Sequence, residues 1–201
     1  MNRTETRWEL FETPEVASLD STAAEPIGLL YRRWNETELV TEVIFAHPEP
    51  HRISSVITLE GKRWTTSRFV EDGTDPVIIN AEDLIEEEDA IPAYMEFFLL
   101  QDAAQLEDSD HTISYHVITP SDPHGIAEDA SMWQPEAGTW EIETNGDLAS
   151  THWVEEGQIV RSDWQGVVSR PVSPDEAVRT LKGIIDDDEL SSLLAHETAG
   201  D

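Results

Sequence analysis

The chain lacks cysteine and has little positive charge. The absence of cysteine among its 201 residues excludes disulfide bonds, thiol nucleophiles and cysteine-ligated metal sites. Only 12 lysines and arginines stand against 43 aspartates and glutamates, which gives a formal net charge of −31. Between Arg68 and Arg161 there are 23 acidic side chains and no lysine or arginine. Nucleic-acid binding needs a basic surface, so we expect no nucleic-acid partner.

Export and membrane signals are absent as well. A membrane-spanning helix needs an uninterrupted apolar run of about 18 residues or more, and no stretch of the sequence approaches that length. Residues 1–8 contain no apolar core of the kind found in a secretory signal. We therefore predict a cytoplasmic protein without a membrane span.

The acidic bias predicts where the protein works. A compact fold with this charge repels itself. Screening shortens the Debye length from about 10 Å at 0.1 M salt to about 3 Å at 1 M, which relieves the repulsion. The composition resembles that of haloarchaeal proteins, and it predicts an environment rich in potassium or sodium. The acidic runs at 86–89 and 186–189 lack the ligand spacing and glycine of a calcium loop, so we interpret them as solvated surface and predict no metal site.

Enough apolar material is present for a folded core. Hydrophobic residues make up 38% of the chain and seven residues are tryptophan, whereas disordered acidic chains are poor in both. The length suits a single domain over residues 1–201. We expect a frayed start at residues 1–8 and an acidic tail at residues 186–201.

Two turn signals predict a three-stranded meander from about 139 to 168. Asn145-Gly146 is typical of a type I′ hairpin turn, and Glu156-Gly157 marks the next turn. Counting outwards from both turns pairs Ile142 with Ala149, Trp140 with Thr151 and Trp153 with Val160. Because side chains alternate along a strand, the predicted apolar face holds Trp140, Ile142, Ala149, Thr151, Trp153, Val160, Ser162 and Trp164. The polar face then holds Glu141, Glu143, Ser150, His152, Arg161, Asp163 and Gln165.

Other segments complete the prediction of an α+β fold with seven to nine strands. Residues 39–45 are typical of a strand and 27–34 form a further candidate strand. Ile113, Tyr115 and Val117 alternate with polar neighbours, which predicts a strand at 112–119. A hairpin over 52–70 turns at Glu60-Gly61, with Trp64 on its inner face. The apolar stretch 93–106 predicts one helix buried on more than one side. Ser173-Pro174-Asp175-Glu176 is a helix-start signal that Gly183 closes, and 190–196 predicts another short helix. We predict a curved antiparallel sheet, an open half-barrel-like meander, with the buried helix on its concave side.

The segment 140–170 resembles the late strands of the lipoprotein-carrier (LolA-like) half-barrels and their uncharacterised relatives. In residues 151–161 a tryptophan-bearing strand turns through acidic residues and glycine into a strand containing valine and arginine. This resemblance implies an open β half-barrel with an apolar cleft that binds lipid.

The tryptophans are the first candidate for a ligand site. Trp140, Trp153 and Trp164, joined by Trp64, would line a cleft for a small apolar molecule or lipid. The alternative is a core in which the same rings pack on the helix, since large aromatic residues dominate core burial.

Histidines give the second candidate. His152 and Arg161 are predicted to lie opposite each other with Asp163 nearby, either as an anion-binding or acid–base group or as a cross-strand surface pairing. His47 and His51 are separated by prolines, which prevent the helical spacing of a zinc site, so we predict an inter-strand loop there.

Three functions remain open. The favoured one is binding of a small apolar molecule or lipid in the tryptophan cleft. The others are a non-enzymatic interaction or scaffold module and a small hydrolase that uses His152 and Asp163. The sequence contains no Walker loop, dinucleotide fingerprint or nucleophile elbow, so we expect no cofactor.

Overall fold

A single curved sheet of 13 strands forms the body of the protein, and three short helices pack on it. The structure is a computed structural model that describes residues 4–13, 25–47, 49–84, 90–105, 112–119 and 127–198. The acidic run at 86–89, Leu106 of the predicted helix and the chain ends at 1–3 and 199–201 lie outside these ranges. The elements are β1 (Glu5–Glu12), β2 (Pro26–Trp34), β3 (Glu38–Phe45), β4 (His51–Glu60), β5 (Arg63–Glu71), β6 (Val77–Asn80), β7 (Ala90–Pro92), α1 (Glu96–Ala103), β8 (Ile113–Ile118), β9 (Ala127–Glu136), β10 (Thr139–Thr144), β11 (Asp147–Glu155), β12 (Gln158–Asp163), β13 (Val168–Val172), α2 (Pro174–Leu181) and α3 (Asp187–Thr198).

The first and last strands, β1 and β13, pair in the middle of the sheet. The strand order is β6-β5-β4-β3-β2-β1-β13-β12-β11-β10-β9-β8-β7, so one meander runs outwards from β1 and a second returns to β13. Part of the expected frayed start is therefore a central strand, because Glu5–Glu12 pairs with β2 on one side and β13 on the other.

The outer ends of the sheet approach each other. The indole Nε1 of Trp64, on β5, donates a hydrogen bond of 2.7 Å to the carbonyl oxygen of Ala90, on β7. A link between strands near opposite ends of the order requires the sheet to curl, which gives an open, barrel-like α+β architecture. We call the gap between these two ends the seam.

One strand pair departs from the antiparallel prediction. β7 and β8 run parallel, with Ala90 opposite His116. Antiparallel strands can be joined by a tight turn, whereas parallel neighbours need a crossover. The chain between β7 and β8 contains α1, which supplies that crossover.

Several elements lie where local signals predicted them. Strands β2, β3 and β8 match predicted segments, although the 13 strands among the described residues exceed the expected seven to nine. Asn145 and Gly146 both adopt positive φ, as do Glu156 and Gly157, in agreement with the predicted turns. The hydroxyl of Ser173 accepts a hydrogen bond from the Glu176 amide and starts α2, as predicted.

The predicted register of the meander is wrong beyond each turn. The strands shift between Ile142 and Glu143 and again between Trp153 and Val154. A β-bulge adds one residue to one strand, and a slip of one residue exchanges the two faces. Ile142 therefore pairs with Ser150, Trp140 with His152, and Trp153 with Arg161.

Helix α1 is shorter than the predicted 93–106 and packs on one face of the sheet. Phe97, Leu100 and Ala103 are buried there against residues of β8, β9, β10 and β12. Its neighbours Phe98 and Leu99 are only partly buried. The aromatic ring of Phe98 also packs on Trp34 of β2, so α1 contacts both halves of the sheet.

Helices α2 and α3 cover the opposite face of the central strands. Ala177, Leu181, Leu190 and Leu193 pack against Trp8 and other apolar residues of β1 and β2. The central strands are consequently buried on both faces. In the part of the chain that the structure describes, no helix is long and apolar enough to cross a membrane, the longest having 12 residues.

Candidate ligand-binding site

A large cavity opens at the seam. Its volume is about 910 Å³, within the range of about 300–1,000 Å³ typical of small-molecule sites. We call it the seam cavity and define it by its lining, which comes from both ends of the sheet and from α1: Lys62, Arg63, Trp64, Ala81, Glu82, Leu84, Ala90, Ile91, Met95, Leu99, Ile113, Ser114 and Tyr115.

The lining mixes apolar, polar and charged residues. Trp64, Met95 and Leu99 belong to the apolar part, and Trp64 is itself buried. Lys62 occupies the turn between β4 and β5, and Arg63 begins β5; both side chains are exposed. The site therefore offers both apolar contacts and two exposed cations.

Tyr115 contributes a polar group at the β8 side. Its hydroxyl donates a hydrogen bond of 2.7 Å to Oε1 of Glu96 at the start of α1. Burial raises the pKa of Glu96, and the hydrogen bond from Tyr115 opposes that rise. The pair anchors the first turn of α1 beside the seam cavity.

The four candidate tryptophans do not share one face. Trp64 lines the seam cavity. Trp140 is buried in the core around α1 with Phe97 and Leu100. Trp153 is half-buried on the other face, with the guanidinium of Arg161 5.0 Å from its ring centroid. Trp164 follows β12 and donates a hydrogen bond of 3.1 Å to the hydroxyl of Ser169.

A buried charge cluster lies on the central strands. Glu9 Oε1 accepts hydrogen bonds from Arg7 Nε at 2.5 Å and from Arg32 Nη1 at 2.6 Å, and Oε2 accepts one from the hydroxyl of Ser169 at 2.8 Å. The side chains of Glu9 and Arg32 are 1% and 2% exposed. Burial by itself raises the pKa of Glu9, but Arg32 and Arg7 outweigh it and hold this pKa below the ordinary 4.5. We call these four residues the Glu9 cluster.

The Glu9 cluster also holds helix α1. The guanidinium of Arg32 lies 3.8 Å from the centroid of the Phe97 ring, and that of Arg7 lies 5.3 Å from it. Cation–π attraction strengthens when the partners are removed from water. Phe97 thus links α1 to the charges beneath it.

His152 belongs to the interior, next to this cluster. It is fully buried, and its Nδ1 and Nε2 each lie 2.8 Å from a hydroxyl, of Ser162 and Ser150 respectively. Burial, together with repulsion from Arg32, lowers the pKa of His152 to about 4. At neutral pH the imidazole is therefore uncharged, with both nitrogens engaged.

The predicted grouping of His152, Arg161 and Asp163 is not formed. The register places His152 opposite Ser162, Arg161 opposite Trp153, and Asp163 opposite Thr151. Asp163 instead accepts a hydrogen bond of 2.8 Å from the Gly166 amide in the following turn. The bulge in β12 is the physical reason, since it places His152 and Asp163 on opposite faces.

One group outside these sites has the chemistry of a cation ligand set. His51 Nδ1 lies 2.9 Å from Asp72 Oδ2, and His51 Nε2 lies 3.4 Å from Glu71 Oε1. Ligand atoms of the three residues lie within 4.8 Å of one another. All three are partly or fully exposed, and their mutual pairing accounts for the arrangement.

Sequence reasoning found Trp64 but missed the rest of the seam cavity. Lys62 and Arg63 carried a usable signal, being two adjacent cations in a cation-poor chain. The proximity of β5 to β7 carried none, because it depends on how the whole sheet curls. The Glu9 cluster was missed because residues 1–8, which include Arg7, were expected to fray.

Comparison with solved structures found a similar fold. A crystal structure of a beta-barrel-like protein of the domain of unknown function DUF1849 from Brucella abortus aligns with a TM-score of 0.35 and 7% sequence identity. The alignment covers 85% of this chain and 95% of that protein. No protein-family model matches the sequence. No curated protein matches it either.

Proposed function

We propose that this protein binds a small apolar or amphiphilic molecule in the seam cavity. The observation that carries the proposal is a volume of about 910 Å³ bordered by both sheet ends and α1, with Trp64, Met95 and Leu99 among its apolar residues. Ligand sites are typically concave, mostly apolar and equipped with a few polar groups.

The proposal moves the site away from the tryptophan face expected from the sequence. Trp64 is kept as a lining residue, whereas Trp140 is assigned to the core and Trp153 to the outer face. The ligand class remains that implied by the LolA-like half-barrel resemblance, an apolar molecule or lipid. A helix α1 that is largely apolar and inserted into the concave side would serve as the inner wall.

A hydrolase role for His152 finds little support in the geometry. A general base must reach a substrate proton, and both nitrogens of His152 already contact buried serines. We therefore prefer a binding protein. We further propose that it is salt-adapted, haloarchaeal in type and cytoplasmic, on the basis of its net charge of −31.

The test is to fill the seam cavity. Leu99→Trp places a larger side chain at the lining, and Leu148→Trp makes the same change on an exposed position of β11. Isothermal titration calorimetry with decanol, in about 1 M KCl to relieve self-repulsion, should show saturable binding to the parent and to Leu148→Trp. Binding to Leu99→Trp should be lost while its circular dichroism spectrum is retained.

Two results would contradict the proposal. In one, decanol does not bind the parent chain. In the other, folded Leu99→Trp binds decanol as well as Leu148→Trp does, which would place any ligand outside the seam cavity.

A further inference from the structure

We infer that the seam cavity selects amphiphiles with an anionic head group, and that Lys62 and Arg63 bind this head group. The inference rests on the proposed function, because it assumes that the cavity takes an apolar ligand. It adds the charge of the ligand and the two residues that recognise it.

Cations outnumber carboxylates among the lining residues that the structure describes. There Lys62 and Arg63 are accompanied by one carboxylate, Glu82, whereas acidic residues outnumber cations 43 to 12 in the whole sequence. Lys62 is also one of only two lysines. Two cations in the lining of one cavity therefore run against a strong compositional bias.

These cations are not used by the described part of the fold. Arg33, in the same half of the sheet, pairs with Glu38 at 2.9 Å, and Arg52 pairs with Glu189. Neither Lys62 nor Arg63 makes an ion pair with a residue that the structure describes. Both side chains are exposed at the β4–β5 turn.

Their chemistry matches an anion at the end of an apolar body. A guanidinium presents a planar fork that fits carboxylate or phosphate oxygens, and an ammonium adds a compact point charge. Arg63, Trp64 and Leu99 all line the same cavity. A ligand whose tail contacts these apolar residues can thus place its head group near Lys62 and Arg63.

Dense salt weakens repulsion from distant carboxylates more than it weakens contacts made by the two local cations. With a Debye length of about 3 Å at 1 M salt, the repulsion from distant carboxylates is largely screened. Ion pairs at contact distance are weakened less. The net charge of −31 therefore does not prevent an anionic ligand from binding under those conditions.

The experiment compares head groups on one tail length, using the full chain in about 1 M KCl. Decanoate, decyl phosphate, decanol and decyltrimethylammonium are titrated by calorimetry into the parent, into Lys62→Glu/Arg63→Glu and into Arg68→Glu/Arg179→Glu. The last variant makes the same change in charge at two cations outside the lining. Neither of these cations forms an ion pair among the described residues.

We expect at least one anionic amphiphile to bind the parent more tightly than decanol and decyltrimethylammonium. Lys62→Glu/Arg63→Glu should weaken it about tenfold, as expected for two partly exposed charge contacts, and leave decanol unchanged. The Arg68→Glu/Arg179→Glu control should behave like the parent. The ratio of decanoate to decyl phosphate affinity identifies the head group as carboxylate or phosphate.

Other outcomes overturn the inference in distinguishable ways. Equal affinity for decanol and both anions, unaffected by Lys62→Glu/Arg63→Glu, removes head-group selection and leaves the apolar site in place. Equal weakening in both double variants assigns the effect to overall charge and also overturns it. If none of the four probes binds the parent, the proposed function fails, and this inference fails with it.

Discussion

Replacing Glu9 by glutamine removes the negative charge between two arginines and keeps the side-chain size. In the folded protein the carboxylate accepts from Arg7, Arg32 and Ser169, and it is 1% exposed. Glutamine offers one oxygen in place of two and leaves the guanidiniums without a counter-charge. Breaking a buried ion pair by removing one partner costs about 3–5 kcal/mol of unfolding free energy. We expect a loss in that range.

A matched variant separates burial from overall charge. Glu38→Gln makes the same chemical change in the ion pair between Glu38 and Arg33. In this pair the side chain of Glu38 is 38% exposed and that of Arg33 is 29% exposed. An exposed pair contributes about 1 kcal/mol or less. Both variants reduce the net charge of −31 by one unit, so any relief of self-repulsion is common to them. Their difference therefore reports the buried cluster.

The assay is equilibrium unfolding in urea, which adds no ions, at about 0.1 M and about 1 M KCl. Raising the salt concentration should leave the loss of unfolding free energy in Glu9→Gln nearly unchanged, because buried ion pairs are poorly screened. The same change should reduce the small loss of unfolding free energy in Glu38→Gln. The reasoning is refuted if Glu9→Gln costs no more than Glu38→Gln, or if molar salt removes both costs alike.

Two further predictions concern protons and salt. The pKa of His152 is about 4 in the fold against an ordinary 6.5, so between these pH values the unfolded chain binds the proton first and stability falls as the pH drops. At about 1.36 kcal/mol per pKa unit the loss amounts to about 3 kcal/mol. His152→Gln should lack this loss, measured as the parent-minus-variant difference in urea unfolding at pH 7 and pH 4, and parallel pH profiles would contradict the assignment. The second prediction is that the melting temperature of the parent, followed by circular dichroism, rises between about 0.1 M and 1 M KCl because screening relieves self-repulsion; an unchanged value would argue against salt adaptation.

Turns and caps were predictable because their signals are local. Asn145-Gly146 and Glu156-Gly157 adopt the positive φ that their turns need, whatever the rest of the chain does. Ser173 accepts from the amide three residues later, an interaction contained within one helical turn. Strand β3 was found for a related reason, since it is rich in apolar and β-branched residues.

Which side chains of a strand face the interior was harder to predict than where the strand lies in the sequence. The assignment of Trp153 to the interior and His152 to the exterior failed because a bulge lies between each turn and these residues. A bulge is a departure of one residue from regular pairing, decided by how the sheet bends. Neither shift is marked by glycine or proline at the bulge itself, since the residues that flank them are Ile142, Glu143, Trp153 and Val154.

By itself, the sequence determined the excess of acidic residues, the absence of thiols, the turns and the helix start, all of which depend on composition or on neighbours along the chain. Tertiary structure decided which charges are buried and where a ligand can enter. Glu9 meets Ser169 across 160 positions, and Trp64 reaches Ala90 only because a 13-stranded sheet curls. Contacts of this kind depend on the order of the strands and on the curvature of the whole sheet. No single segment of the sequence carries a signal for them.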